Sequence, residues 1–188
     1  MIRNEILKLV EDIKPYDAEE VEHVLDAIAW IESGAEIFRI AKPDVPPKHL
    51  VSYFLLVDVK KRKVLLLDHV KSGLWLPSGG HVEKDEHPND AVEREIKEEL
   101  NMPAEFLSKT PFFLTQMVTV KTTKEHTDVC LWYVLKGDSE KEIAFDPEEF
   151  YGYEWMSFAE VLTMNIEKLD IHMHRFMKKL IESDLVKK

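Results

Sequence analysis

The sequence predicts an α+β protein, a mixed β-sheet sandwiched between helices, with a helical hairpin at its N-terminal end. Three observations carry this. Strand-like segments lie between residues 50 and 76 and again between 111 and 155, with one helical segment between them and others after them. That order gives layers rather than a strict strand–helix alternation. The run LVSYFLLVDV (50–59) is nearly continuous in apolar residues, as a strand buried on both faces requires. The first forty residues show helical spacing twice and no strand pattern.

In chain order, Ile2, Ile6, Leu9, Val10 and Ile13 recur at helical spacing over residues 2–13, and Pro15 ends that helix. Asp17 is a good N-cap with Glu20 three residues on, a weak capping box. Val21, Val24, Leu25 and Ile28 mark the apolar stripe of a second helix that stops at Ser33-Gly34. The paired stripes call for a covering surface: the main domain, a second copy in a homodimer, or a wall of a substrate pocket. The Pro-rich segment 41–48, AKPDVPPK, reads as an extended linker. The boundary is placed there, giving a hairpin appendage (1–40) and a main domain (49–188).

Leu50–Val59 and Lys63–Asp68, split by polar KKR, form a β-hairpin signature. Leu74-Trp75-Leu76 is a short strand closed by Pro77. Residues 111–120 and 128–135 are two further strands, joined by a long turn, TVKTTKEHT. An acidic loop (137–147) precedes a short strand at Tyr153-Glu154-Trp155. Ser157 N-caps a helix starting at Phe158, and a last helix is expected over Leu169–Leu185 with Ile171, Phe176, Leu180 and Ile181 on its stripe.

The 188 residues suffice for one domain with a good core. With 45% apolar and 32% charged residues, the chain reads as soluble and globular. No apolar run is long enough to span a bilayer, and charges interrupt MIRNEILKLVEDIK too often for a signal peptide. No membrane association is expected. The single cysteine, Cys130, excludes an internal disulfide framework and a Cys-rich zinc site, and fits a reducing cytoplasm. A net charge of −11 repels phosphate backbones, which argues against a nucleic acid polymer as partner. Binding a phosphorylated small molecule at such a surface needs cations to neutralise the carboxylates.

The stretch Gly79–Met102, GGHVEKDEHPNDAVEREIKEELNM, supplies a place for them. Pro88 suits a first helical turn, and Asp90 there favours the positive end of the helix dipole. The helix should run to about Leu100, with Asn101 as its left-handed cap and Pro103 preventing continuation. Glu95, Glu98 and Glu99 stand at i, i+3 and i+4, on one face. Val92, Ile96 and Leu100 form a separate apolar stripe that can pack on a sheet. Three like charges on one face repel each other. Arg94 and Lys97 offset part of that, and a bound hard cation offsets the rest. Carboxylate oxygens suit Mg²⁺ or Mn²⁺. The helix alone reads equally well as a solvated acidic face.

Read from Gly80, the spacing is G-x5-E-x7-R-E-I-x-E-E-x-N-M. This resembles the Nudix box, G-x5-E-x7-R-E-U-x-E-E-x-G-U, with U a bulky aliphatic residue. Gly80, Glu86, Arg94, Glu95, Ile96, Glu98, Glu99 and Met102 match. Asn101 replaces the last glycine and preserves the left-handed cap. The likeness extends from about Leu50 to Leu162 and leaves the N-terminal helices outside. The resemblance implies a hydrolase that cleaves a diphosphate linkage in a nucleoside-diphosphate-linked or related small molecule, using divalent metals and a water nucleophile. It implies metal ligation by Glu95, Glu98, Glu99 and the carbonyl of Gly79, with Glu98 also serving catalysis. Gly80, Glu86 and Arg94 would brace the loop and helix. EFYGYEWMS resembles the segment bearing a late-loop base or ligand, which singles out Glu149, with Glu148 next.

Other residues carry weaker signals. His126 and Asp128 stand at i, i+2, toward one face of a strand, as a substrate contact or an ordinary polar pair. His69, His81 and His87 lie near the box in sequence. His172 and His174 face apart on a helix, which argues against a shared metal. Cys130 reads as core, and Trp75, Phe113 and Trp132 as core or as base-stacking surfaces. Two other functions compete: a nucleotide-sensing module without turnover, and an isomerase of the isopentenyl diphosphate type. The intact glutamate set weighs against the first, and the full box and the lack of a second cysteine against the second. Substrate choice is assigned to the hairpin and to residues 121–127 and 137–150, outside the box.

Overall fold

The computed structural model describes residues 2–42, 44–119 and 126–187. Seven strands form one sheet: β1 (Lys48–Asp58), β2 (Lys63–His69), β3 (Trp75–Leu76), β4 (Ser78–His81), β5 (Phe113–Thr119), β6 (His126–Lys136) and β7 (Phe150–Ser157). The order is β3-β2-β1-β6-β5, with β4 paired to β1 and β7 to β2. The helices are α1 (Ile2–Glu11), α2 (Ala18–Glu32), α3 (Pro88–Leu100), α4 (Phe158–Thr163) and α5 (Met173–Glu182). The α+β class and the N-terminal helical pair agree with the expectation. Among the described residues, no helix is long and apolar enough to cross a membrane.

The chain forms two compact units, each discontinuous in sequence. The first comprises Met1–Tyr53, Gly79–Glu93 and Ser108–Tyr133. Here Arg3 ties the start of α1 to the end of α2, donating to the carbonyls of Ile31 (2.8 Å) and Ala35 (2.6 Å), just past the helix. Asp17 caps α2 as expected, accepting from the Glu20 amide at 2.8 Å. The stripe of α2 has a different phase from the one expected. Glu20, Val24, Ala27 and Ile31 are buried, whereas Val21 and Leu25 are 42% and 61% exposed. The buried glutamate sets the phase. Its carboxylate accepts from the amides of Tyr16 (2.7 Å) and Leu114 (3.2 Å), which places it against β5. Gln116 of β5 adds bonds to the His23 carbonyl and the Asp26 carboxylate, and Lys48 pairs with Asp26.

Segment 41–48 is not an extended linker. Ala41 and Val45 form a bridge, so the chain turns there before β1 begins. β5 and β6 pair antiparallel from Phe113↔Trp132 to Thr119↔His126. Phe113 and Trp132 are fully buried and Cys130 nearly so, which settles the two aromatics as core; the Trp132 indole donates to Thr115 Oγ1 at 2.9 Å. The turn expected between these strands falls on residues 120–125, outside the described residues.

The second unit comprises Phe54–Ser78, Arg94–Leu107 and Val134–Lys188. β2 pairs with the end of β1 through Val57↔Val64, giving the expected hairpin. β7 is longer than the three residues expected and runs beside all of β2, from Lys63↔Ser157 to His69↔Phe150. Gly152 and Glu154 interrupt one of its faces, which hides the strand from an apolar count. Ser157 and Glu160 complete a capping box on α4. α5 begins four residues later than expected. A 3₁₀ turn (Ile166–Lys168) and buried Asp170, which accepts from the His172 amide at 2.7 Å, precede it. Ile171 is therefore 62% exposed rather than on the stripe, while Met173, Phe176, Met177 and Leu180 are buried.

Candidate functional site

In the second unit, the last two turns of α3 carry the three glutamates. Ile96 and Leu100 are buried, as their stripe requires, so the neighbouring face is left to the carboxylates. Arg94 Nη1 donates to Glu95 Oε1 at 2.6 Å and stands 3.6 Å from Glu98 Oε2. Glu95 is nearly closed in, whereas the Glu98 side chain is 61% exposed. Ser78, almost fully buried, donates its hydroxyl to Glu99 Oε2. Sequence reasoning passed over Ser78. Its signal was its place in LPSGG, directly before the glycine pair.

The late loop is fastened to this helix. The Asp146 amide donates to the Glu99 carbonyl at 2.8 Å, one of the acceptors a helix end leaves unpaired. The amides of Glu149 and Phe150 then fold back on the Asp146 carbonyl at 3.2 and 3.0 Å. Glu149, so positioned, is gripped by Lys71 Nζ at 2.7 and 2.9 Å, with His69 Nε2 at 3.8 Å. Burial holds the His69 imidazole below its ordinary range, so at neutral pH it adds little charge to the pair. Glu148 is exposed; its amide bonds Asp146 Oδ1 at 2.8 Å.

Gly79, Gly80 and Glu86 belong to the first unit. Gly79 has φ +140°, and a Cβ there would stand 2.1 Å from the Ser52 carbonyl oxygen, so no other residue fits against β1. This close approach makes residues 78–81 a strand, which a segment without large apolar side chains did not announce. Glu86 accepts from the Glu83 amide at 2.8 Å and closes its own loop. α3 ends as expected, with Asn101 at φ +49°. His87 accepts from the Asn89 amide at 3.1 Å, and His172 and His174 bond Arg175 and the Val161 carbonyl, so these three are structural.

The first unit also gathers residues that the sequence showed only in part. His49, fully buried, donates from Nδ1 to the Pro46 carbonyl at 2.9 Å and turns Nε2 toward Asp128 Oδ1, 3.0 Å away. His126 lies between Asp44 (Nδ1 to Oδ2, 3.6 Å) and Asp128 (Nε2 to Oδ2, 3.5 Å). The His81 ring centroid is 4.8 Å from that of His49, and its Nε2 faces Arg39 at 3.3 Å. Burial, then the charge of Arg39, pushes His81 down to about 4. Burial alone would lower His49, but the Asp128 carboxylate and the Pro46 carbonyl outweigh it and hold His49 above its ordinary value. Asp44, Arg39 and His49 were not singled out from the sequence. The one hint was a histidine opening an otherwise apolar strand.

Arg94 thus gathers Glu95 and Glu98 while Glu99 turns to Ser78, and the three carboxylates are not among the groups whose ligand atoms converge within 4.8 Å of one another; carboxylate oxygens are the donor type that suits a hard divalent cation. The chain belongs to the Nudix family: the NUDIX domain model matches residues 47–180. Similar solved structures include a MutT NUDIX hydrolase from Burkholderia pseudomallei (20% identity, 70% of this chain and 96% of that one, TM-score 0.53). The MutT protein of Methanosarcina mazei Go1 aligns at 20% identity over 70% and 91% of the two chains (TM-score 0.56). The dihydroneopterin triphosphate pyrophosphohydrolase of E. coli aligns at 17% over 76% and 99% (TM-score 0.50). At these identities the likeness is one of fold. No curated protein matches the chain at a significant level.

Proposed function

We propose that this protein hydrolyses a diphosphate linkage in a nucleoside-diphosphate-linked or related small molecule, with Mg²⁺ or Mn²⁺ as cofactor. Glu95, Glu98, Glu99 and the carbonyl of Gly79 would hold the metal, and Glu86 and Arg94 would brace the loop and helix. The bound metal supplies neutralisation of phosphoryl charge and a lower pKa for the attacking water. The observation that carries this reading is the row of three carboxylates on α3, two met by Arg94 and one by Ser78. Arg94 serves both Glu95 and Glu98, while Ser78 offers Glu99 a neutral donor. Ser78 and Arg94 orient their carboxylates. Glu98, the most open of those measured, is placed to meet substrate. Glu149 is the proposed base, delivered by the loop that Asp146 ties to α3 and held by Lys71 until substrate phosphates compete for that lysine.

The test is hydrolysis of a panel of diphosphate compounds with Mg²⁺ and Mn²⁺ in parallel, on wild type and on Glu98→Gln and Glu99→Gln. Turnover should fall on the order of 10²–10³-fold in each variant. Wild-type rates in both would remove the glutamates from the reaction. A second reading, nucleotide sensing without turnover, draws on the Lys71–Glu149 pair, since a carboxylate already held by a lysine is a poor base. Tight nucleotide binding with no product in the same panel would establish it.

A further inference from the structure

We propose that His49, His126 and Asp44, with Asp128 beside them, form a second metal site, one suited to a borderline transition-metal dication such as Zn²⁺. One ligand atom from each of Asp44, His49 and His126 lies within 4.8 Å of the other two, and His49, His81 and Asp128 form an overlapping set of the same size. Tetrahedral ligands about 2.0–2.2 Å from zinc stand roughly 3.3–3.5 Å from one another. The observed separations of 3.0 Å (His49 to Asp128) and 3.6 Å (His126 to Asp44) bracket that value. Small side-chain rotations close the rest.

The hydrogen bonding supplies the second, independent observation. The Pro46 carbonyl occupies Nδ1 of His49, which fixes that nitrogen as the donor and leaves Nε2 to offer a lone pair. A backbone carbonyl behind a histidine is the usual support of a metal-ligating imidazole. His49 is fully buried, yet Nε2 makes no hydrogen bond, and neither do His126 Nδ1 and Asp128 Oδ1. His49 Nε2 and Asp128 Oδ1 stand 3.0 Å apart, and His126 Nδ1 stands 3.6 Å from Asp44 Oδ2. Orphaned polar atoms in a buried place are costly, about 1–3 kcal/mol each. A single dication satisfies several at once. His49 and Asp128 attract each other, yet Nε2 and Oδ1 lack the alignment of a full hydrogen bond, so the pair leaves both atoms incompletely satisfied. His81 Nε2 faces Arg39 Nη1 at 3.3 Å and is left outside the proposed ligand set.

The two imidazoles set this site apart from the box, whose side-chain donors are all oxygen. Imidazole with carboxylate favours Zn²⁺ and its neighbours over Mg²⁺. The full chain carrying Glu98→Gln and Glu99→Gln together, stripped of metal with a chelator, should still take up one equivalent of Zn²⁺ or Co²⁺ in competition with a chromophoric chelator. The Co²⁺ form should show d–d absorption of a low-coordinate site, and excess Mg²⁺ should not displace it. Adding His126→Gln or Asp44→Asn, both at partly open positions, should weaken uptake by about 100-fold or more. His49→Gln should do the same if it folds; if it does not, the other two carry the test. Absence of uptake in the double variant, or uptake unchanged by His126→Gln and Asp44→Asn, would overturn the site.

Discussion

The two acid-bearing clusters differ in what already balances their charge. On α3, Arg94 meets Glu95 and Glu98, Ser78 meets Glu99, and Glu98 is open to water. Around His49, two aspartates stand among three imidazoles, and the central ring has no exposure at all. The first is open at Glu98, as the proposed binding of hard cations and a phosphate-bearing ligand requires. The second is too closed for that and offers nitrogen as well as oxygen. Acidity alone therefore does not assign a role. The partner atoms and the access do, and two clusters of similar charge are expected to take different ions.

The strongest way to break this contrast is to remove one cluster and read both. Glu98→Gln should cost turnover on the order of 10²–10³-fold while leaving Zn²⁺ uptake by the His49 cluster intact. Loss of both together would mean that the clusters act as one site. The converse variant, His126→Gln, should lose about 100-fold in Zn²⁺ affinity, and Zn²⁺ protection against thermal unfolding should vanish with it.

Two buried carboxylates outside both clusters sharpen the comparison. Asp170 is nearly buried and accepts one amide bond from His172, and burial pushes its pKa up to about 6. Its folded pKa lies above its unfolded value of 3.8, so the native state binds the extra proton. Stability from this group is therefore full below about pH 4 and declines as pH rises toward 6 and beyond. Asp170→Asn keeps an acceptor for the His172 amide and removes the buried charge. It should stabilise the protein by about 2–3 kcal/mol at pH 7 and by nothing at pH 4, measured by urea unfolding at the two pH values. An equal effect at both would refute the buried-charge account. Glu20 is the opposite case, a buried acid met by backbone donors from Tyr16 and Leu114. Glu20→Ala orphans both amides and should destabilise by about 2 kcal/mol, with turnover per folded molecule unchanged.

Which of these features the sequence disclosed follows from how local their causes are. The helix of the box was legible to its end residues, because Pro88, the Val92–Ile96–Leu100 stripe and the left-handed Asn101 are all signals within a few positions. The hairpin of β1 and β2 and the capping box at Ser157 were legible for the same reason. The phase of α2 was not. A glutamate buried by an amide 94 residues away outweighs the apolar positions that a periodicity count relies on. β4 was hidden because its strand character comes from backbone approach at Gly79 rather than from side chains. In the site, the glutamates were found by spacing along one helix. Ser78, Asp44 and His49 were not, since their partners are distant in sequence and only the fold brings them together.

The smallest expected effect tests the loop that serves the α3 cluster. Lys71 is largely exposed, and an exposed pair contributes at most about 1 kcal/mol, so Lys71→Met should leave stability within about 0.5 kcal/mol of wild type. Its value lies in kinetics. If Lys71 merely parks Glu149, freeing both carboxylate oxygens should raise kcat by no more than about threefold, and the gain should disappear in the Glu149→Gln background. Additive, independent effects would mean that Lys71 touches substrate phosphates directly. Wild-type kcat in both single variants would reduce the pair to a surface ion bridge, and the base would then have to come from the glutamates of α3 itself.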